Sequence, residues 1–131
     1  MITNVEISMV EGKKEKIPIV AIGGFNVNFE DVKMENGNII VAFDHSALYF
    51  GKNNEQAGKI AIKGTVTTKE DEKRSKEIME KWTKEKSLPL DYAEELVNFI
   101  TFDCGARGTL ISYAVGLAPP IPIKASLQEK K

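Results

Sequence analysis

The sequence predicts an α+β fold: a four-stranded antiparallel sheet followed by a charged helix and a long apolar helix. Three observations predict it. From about residue 3 to 68 the apolar residues alternate with polar ones, and no helical stretch intervenes that could serve as a parallel crossover. From about 70 to 86 the period changes and charges dominate. From 88 to 123 the chain is apolar on more than one helical face and is stopped by Leu117-Ala118-Pro119-Pro120.

The first strand is read at 4–10, where Val5, Ile7 and Met9 share one side and Glu6 and Ser8 the other. Glu11-Gly12-Lys13-Lys14 reads as the break after it. Ile17 to Ala21 is continuously apolar, and Gly23-Gly24 then suggests a bend or a close backbone approach. No P-loop lysine and hydroxyl residue follow, so the glycine pair is not a phosphate cradle.

Asn36-Gly37 is the sharpest local signal, a type I′ hairpin turn. Counting outward places Glu35 opposite Asn38, Met34 opposite Ile39 and Val32 opposite Val41. Beyond Val32 the apolar parity changes to Phe29, Val27 and Phe25. One extra residue at Glu30-Asp31, a β-bulge, restores a common face and sets Phe29 against Phe43. The expected hairpin is therefore long and bent, 17–34 with 38–50. A Gly- and Asn-rich loop (51–59) leads to a fourth strand at 59–68, with Ile60, Ile62 and Val66 inward.

Within 70–86, Glu72–Lys76, Glu77–Lys81 and Glu80–Lys84 have the spacing of helical ion pairs. The apolar stripe is narrow: Ile78, Met79 and Trp82. This describes a solvated helix laid on a surface, with Trp82 as core or as partner contact. Ser87-Leu88-Pro89 resets the chain, and either Asp91 with Glu94 or Ser87 with the proline would start the next helix. There Ala93, Leu96, Val97, Ile100 and Cys104 form one face, with Tyr92, Phe99 and Phe102 outside it. Such a girdle calls for cover from two directions. Residues 109–115 also suit a strand, and 124–131 form a polar tail.

Composition excludes several functions. The 131 residues are expected to form one domain, with 42% hydrophobic and 28% charged residues. A net charge of -1 offers no excess to neutralise a phosphate backbone, so nucleic acid is not an expected partner. One cysteine rules out an internal disulfide. The first residues lack the charge and apolar pattern of a signal peptide, and no apolar run is long enough for membrane insertion; a cytoplasmic protein is expected.

Catalytic groups are sparse. His45, the single histidine, continues the inward parity of Val41 and Phe43, with no neighbouring ligand set for a metal and Asp44 on the other face. A partly buried, hydrogen-bonded histidine is the first reading, and a small-molecule or enzymatic site on the sheet face around it is the alternative. Cys104 lies on an apolar helical face with no base to activate it. Arg107 could fix a carboxylate across an interface or serve as a solvated helix-end cation. Binding without catalysis, metal or cofactor is the expectation.

The order of parts resembles the SecB family of export chaperones. The residues that carry the likeness are Tyr92-Ala93-Glu94-Glu95, then Arg107-Gly108-Thr109, then Leu117-Ala118-Pro119, after four antiparallel strands. The segment from Tyr92 to Arg107 is about one helical turn longer than in the family, the charged helix replaces a shorter connection, and the family's second helix is reduced to 124–131. The resemblance implies an ATP-independent holdase, linked to protein export, for unfolded polypeptide clients. It also implies a homo-oligomer, a dimer or dimer of dimers, with sheets joined and long helices between dimers. Leu48, Tyr49, Phe50, Leu117 and Pro119 are the groove candidates it suggests. Tyr92, Leu96, Phe99, Ile100, Phe102 and Arg107 are the interface candidates. A dedicated-partner adaptor is the further alternative.

Overall fold

The computed structural model describes residues 1–118. The polar tail at 124–131 and Pro119 lie outside them. The elements are β1 (Ile2–Lys14), β2 (Ala21–Glu35), β3 (Asn38–Phe50), β4 (Gln56–Thr68), α1 (Glu72–Glu85) and α2 (Leu90–Val115). The four strands form one antiparallel sheet in the order β1-β4-β3-β2. The fold class is the expected one: a four-stranded antiparallel sheet followed by two helices.

The hairpin register follows the count from Asn36-Gly37. Glu35 pairs with Asn38, Val32 with Val41 and Phe29 with Phe43, and the ladder shifts between Phe29 and Asp31. Gly37 takes a φ of 81° and Asn36 one of 52°, the left-handed pair a type I′ turn demands. A second shift falls between Ile22 and Phe25, so the Gly23-Gly24 pair bends the strand. At Gly23 a β-carbon would strike the Phe50 ring, which explains the glycine by close packing.

Strand limits differ from expectation in one instructive place. β1 continues to Lys14, through the residues read as a break. Gly12 remains in the strand because α2 lies over it: a β-carbon there would sit 2.6 Å from Ile111 Cγ2. Alternation alone could not see a partner one hundred residues away.

On β3, Ile39, Val41, Phe43, His45, Ala47 and Tyr49 are buried, while every intervening residue is half-buried. The buried face receives both helices. α1 seats Ile78 and Trp82 in the core, so Trp82 is a packing residue here, with Lys86 Nζ 5.6 Å from its ring centroid. Asp71 caps α1 by accepting from the Arg74 amide at 2.7 Å. Of the described charges on α1, Lys81 and Glu85 pair at 3.2 Å, not the three combinations that spacing suggested. Long exposed side chains gain little from any one such geometry, so spacing is a weak guide to the actual partners.

α2 buries Tyr92, Leu96, Ile100, Cys104, Gly108 and Ser112, a ridge of every fourth residue. Its first residue follows Pro89, with no side-chain cap. Neither capping scheme drawn from the sequence is used. Asp91 instead accepts from Arg74 Nη2 at 2.6 Å and from the Tyr92 amide at 2.9 Å, tying α1 to α2. Residues 109–115 are helical, closed by Gly116 at φ 77°. At the two ends of the ridge, Tyr92 Oη shares a 2.6 Å hydrogen bond with Thr68 Oγ1, and Leu117 packs on Gly58. The helix thus runs the length of β4.

Candidate functional site

Among the described residues, two apolar regions remain open once the sheet and helices have packed. The first lies where β2 begins. Val20 is 63% exposed and Ile22 39%, and the Val20 amide donates to the Phe50 carbonyl at 2.9 Å. Leu48 and Phe50 alternate with buried Tyr49, so they point to the sheet face that carries no helix among the described residues, whereas Ile22, the partner of Tyr49, points to the other face. Next to this corner runs β2, a 15-residue edge strand whose outer backbone groups have no strand partner among the described residues. Phe25, Val27 and Phe29 on that strand are only partly covered.

The second region is the outward side of α2. Phe102 is 81% exposed, Leu110 73% and Tyr113 70%, with Leu90 near the helix start at 75%. Isolated apolar residues on a surface need no explanation, but several on one helix side do. A separate cleft of about 480 Å³ opens between the hairpin tip and α1, walled by Met34 and Met79 with Glu70 and Glu72 near it. Thioether side chains of this kind adapt to varied apolar guests.

The residues singled out from the sequence divide accordingly. Leu48 and Phe50 are accessible in part. Tyr49 is not: it is 0% exposed, its hydroxyl donates to the Ala118 carbonyl at 2.5 Å, and burial pushes its pKa up to about 12. Leu117 is likewise buried, wedged against Gly58. These two hold the end of α2 onto the sheet and offer no groove surface. Pro119 falls outside the described residues.

Among the interface candidates, Tyr92, Leu96 and Ile100 are fully buried in the chain's own core. The sequence reading had set Tyr92 apart from the core face, yet the buried ridge includes it, because it lies four residues before Leu96 in the same i, i+4 row. Phe99 is half-buried, and Phe102 and Arg107 are exposed. Arg107 Nε donates to Asp103 Oδ2 at 2.7 Å on its own helix. Sequence reading missed Leu110 and Tyr113, although helical spacing from Phe99 and Phe102 passes through both. Their stretch, 109–115, suited a strand equally well, and that ambiguity hid them.

The titratable core groups are poorly placed for chemistry. His45 is 1% exposed, stacked on Phe25 at 6.3 Å between centroids, and neither ring nitrogen has a hydrogen-bond partner. The expected hydrogen-bonded histidine is therefore an unbonded one. Its strand neighbours are Val27 and Ile62. Burial lowers its pKa below 6.5, with Asp44 opposing weakly. A buried setting with no polar partner for the ring counts against a small-molecule site there. Burial pushes the Cys104 thiol up to about 12, the reverse of what a nucleophile requires. Among the described residues no cluster of three metal-ligating side chains occurs, and no helix is long and apolar enough to cross a membrane.

No family model matches the sequence, and no curated protein matches it either. A solved structure does resemble the fold: the SecB-like chaperone Rv1957 of Mycobacterium tuberculosis, in complex with a ChAD peptide from the Rv1956 HigA1 antitoxin. The likeness has a TM-score of 0.56 at 9% sequence identity, and covers 91% of this chain and 85% of that one. At that identity it speaks to architecture alone, and the architecture of this chain is SecB-like.

Proposed function

We propose that this protein is an ATP-independent holdase, which binds unfolded or non-native polypeptide on open apolar surface and carries out no reaction. The observation that carries the reading is the start of β2: a long edge strand with no strand partner among the described residues, with exposed Ile22 on one face of the sheet and half-buried Leu48 and Phe50 on the other. An extended client segment can add its backbone to such an edge while its alternate side chains meet apolar residues on the two faces of the sheet. The fold likeness supports the reading, since the SecB-like neighbour is a chaperone seen with a bound peptide. Holding an unfolded chain is a linkage effect: binding the unfolded state withdraws it from folding and aggregation.

In this reading the protein acts as a homo-oligomer, a dimer or dimer of dimers, whose several weak sites act together on one client. Phe99, Phe102 and Arg107 on α2 are the residues left to form its interface. A link to protein export and a cytoplasmic location go with the same reading.

The test is the binding of a fluorescently labelled, permanently unfolded polypeptide, followed by anisotropy without nucleotide. Saturable binding is expected, weakened at least about ten-fold by Leu48→Asp with Phe50→Asp, as loss of roughly 1.4 kcal/mol of apolar contact would give. Absence of binding by the intact protein contradicts the proposal. A second reading draws on the neighbour's peptide, which comes from an antitoxin: this chain would serve one dedicated partner. Capture of a single protein, with no binding of unrelated unfolded chains, decides for it.

A further inference from the structure

β2 is an edge strand divided by its own bulges. Its ladder with β3 shifts between Ile22 and Phe25 and again between Phe29 and Asp31. Each shift inserts an extra residue, bends the strand and interrupts regular pairing. The stretch between them, Phe25–Phe29, pairs without a break against Phe43–Ala47. Its inner edge is filled by β3, and its outer edge has no strand partner among the described residues. Such an edge is normally blunted by a charge or a proline. From Ala21 to Phe29 this one carries neither.

Gly24 adds an observation of another kind. Glycine weakens a strand, so each one calls for a reason. Gly23 has one, because its β-carbon would strike the Phe50 ring. Gly24 has none within the described chain: a β-carbon there meets nothing within 4 Å, and its φ is not left-handed. A strand glycine also marks a place where another backbone comes close. Gly24 leaves bare main chain at one end of the uninterrupted stretch.

The two faces of this stretch differ. Phe25, Val27 and Phe29 lie half-buried on the helix-bearing side, whereas Asn26 and Asn28 are exposed on the other. An added strand sets its alternate side chains beside the first group and the remainder beside the second. Apolar side chains gain cover only on the first face, and uncharged polar ones can hydrogen-bond the amides on the second. A continuous apolar run leaves part of its side chains on the asparagine face.

We infer that the polypeptide segment held along Gly24–Phe29 is short, extended and alternating: about five residues, apolar at every second position and uncharged polar between. The inference rests on the holdase reading above and names the part of an unfolded chain that is bound. Charge complementarity sets the end of the segment. Glu30 and Asp31 stand at the bulge; Glu30 is 3.6 Å from Lys63 Nζ, and Asp31 has no ion pair among the described residues. A lysine or arginine there meets a free carboxylate, and an acidic residue meets like charge.

Fluorescence anisotropy of the full chain with labelled peptides tests this. One peptide carries Val-Thr-Val-Thr-Val between Gly-Ser flanks with Lys at each end, and another carries the same residues as Val-Val-Val-Thr-Thr. The alternating core should bind at least about ten-fold more tightly. Two further peptides methylate the backbone nitrogens of the alternating core, at the valines or at the threonines. Alternate N–H groups of a strand point to opposite edges, so one methylated peptide should lose binding and the other keep it. Gly24→Val, whose side chain enters open space, should weaken the alternating peptide about ten-fold with an unchanged far-ultraviolet spectrum.

Equal binding of the two cores, equal effects of the two methylations, or full affinity in Gly24→Val overturns the inference. So does failure of every peptide while an unfolded polypeptide still binds, and in all these cases the holdase reading stands. Failure of peptides and unfolded polypeptide alike overturns both. Binding of the alternating core with no capture of unrelated unfolded chains upholds the edge and contradicts the holdase reading.

Discussion

His45 shows what a single side chain reveals about this core. Its ring is stacked on Phe25 with both nitrogens unbonded, so the neutral form is the one the fold accepts. The unfolded chain titrates near 6.5 and the folded chain lower. Below about pH 6.5 the unfolded state binds more protons, so stability falls with pH until the folded value is passed. Urea titrations at pH 7.5 and pH 5 should show this loss, and His45→Phe should remove its share of it. The same variant should be about 1 kcal/mol more stable than wild type at pH 7.5, because it removes unsatisfied buried polar atoms. A variant with an unchanged pH slope would show that His45 is not buried neutral. Cys104 makes a parallel prediction: its thiol should react with a disulfide reagent at least about a hundred-fold faster in denaturant than in the native protein, given its burial and raised pKa.

The elements were legible in the sequence to different depths. The β2–β3 hairpin was legible almost residue by residue, because Asn36-Gly37 sets the register and the change of parity at Val32 demands the bulge seen between Phe29 and Asp31. Both are local rules that need no knowledge of the rest of the chain. Gly12 and Gly23 needed that knowledge, since each exists to admit a distant side chain. The buried ridge of α2 was half legible: Leu96, Ile100 and Cys104 were read on one face, while Tyr92, one step earlier in the same every-fourth-residue series, was set outside it. The open site was least legible. Exposure of Val20, Leu110 and Tyr113 is decided by what fails to cover them, and no local pattern records that.

Gly64 gives the sharpest test at this scale. A β-carbon there would run into the carbonyl oxygen of Glu6, beside the register shift between Ile7 and Met9. Because the obstacle is backbone, Gly64→Ala must push β1 from β4, at a cost of about 1–3 kcal/mol by the usual scale of overpacking. Amide exchange should accelerate in β1 before β3. Equal protection in both strands would contradict this account of the β1–β4 contact.

At the scale of the whole molecule, the described residues complete one layer of helices on one sheet face and leave apolar surface at two places. One of them is the outward side of α2, with Phe102, Leu110 and Tyr113. The other, at the start of β2, offers a strand edge with apolar residues on both faces of the sheet. Phe102→Asp should abolish the first without unfolding the chain, because Phe102 is 81% exposed and contributes little to the core. The expected result is a halved mass by light scattering with an unchanged far-ultraviolet spectrum. Weaker client binding should follow if several sites act on one chain.

The most direct test of the central claim follows the light scattering of a chemically denatured client as it is diluted into buffer with stoichiometric amounts of this protein and no nucleotide. The account predicts that aggregation is suppressed, that suppression saturates near stoichiometry, and that Leu48→Asp with Phe50→Asp loses most of it while remaining folded. Unchanged aggregation in the presence of the intact, folded protein would contradict the claim.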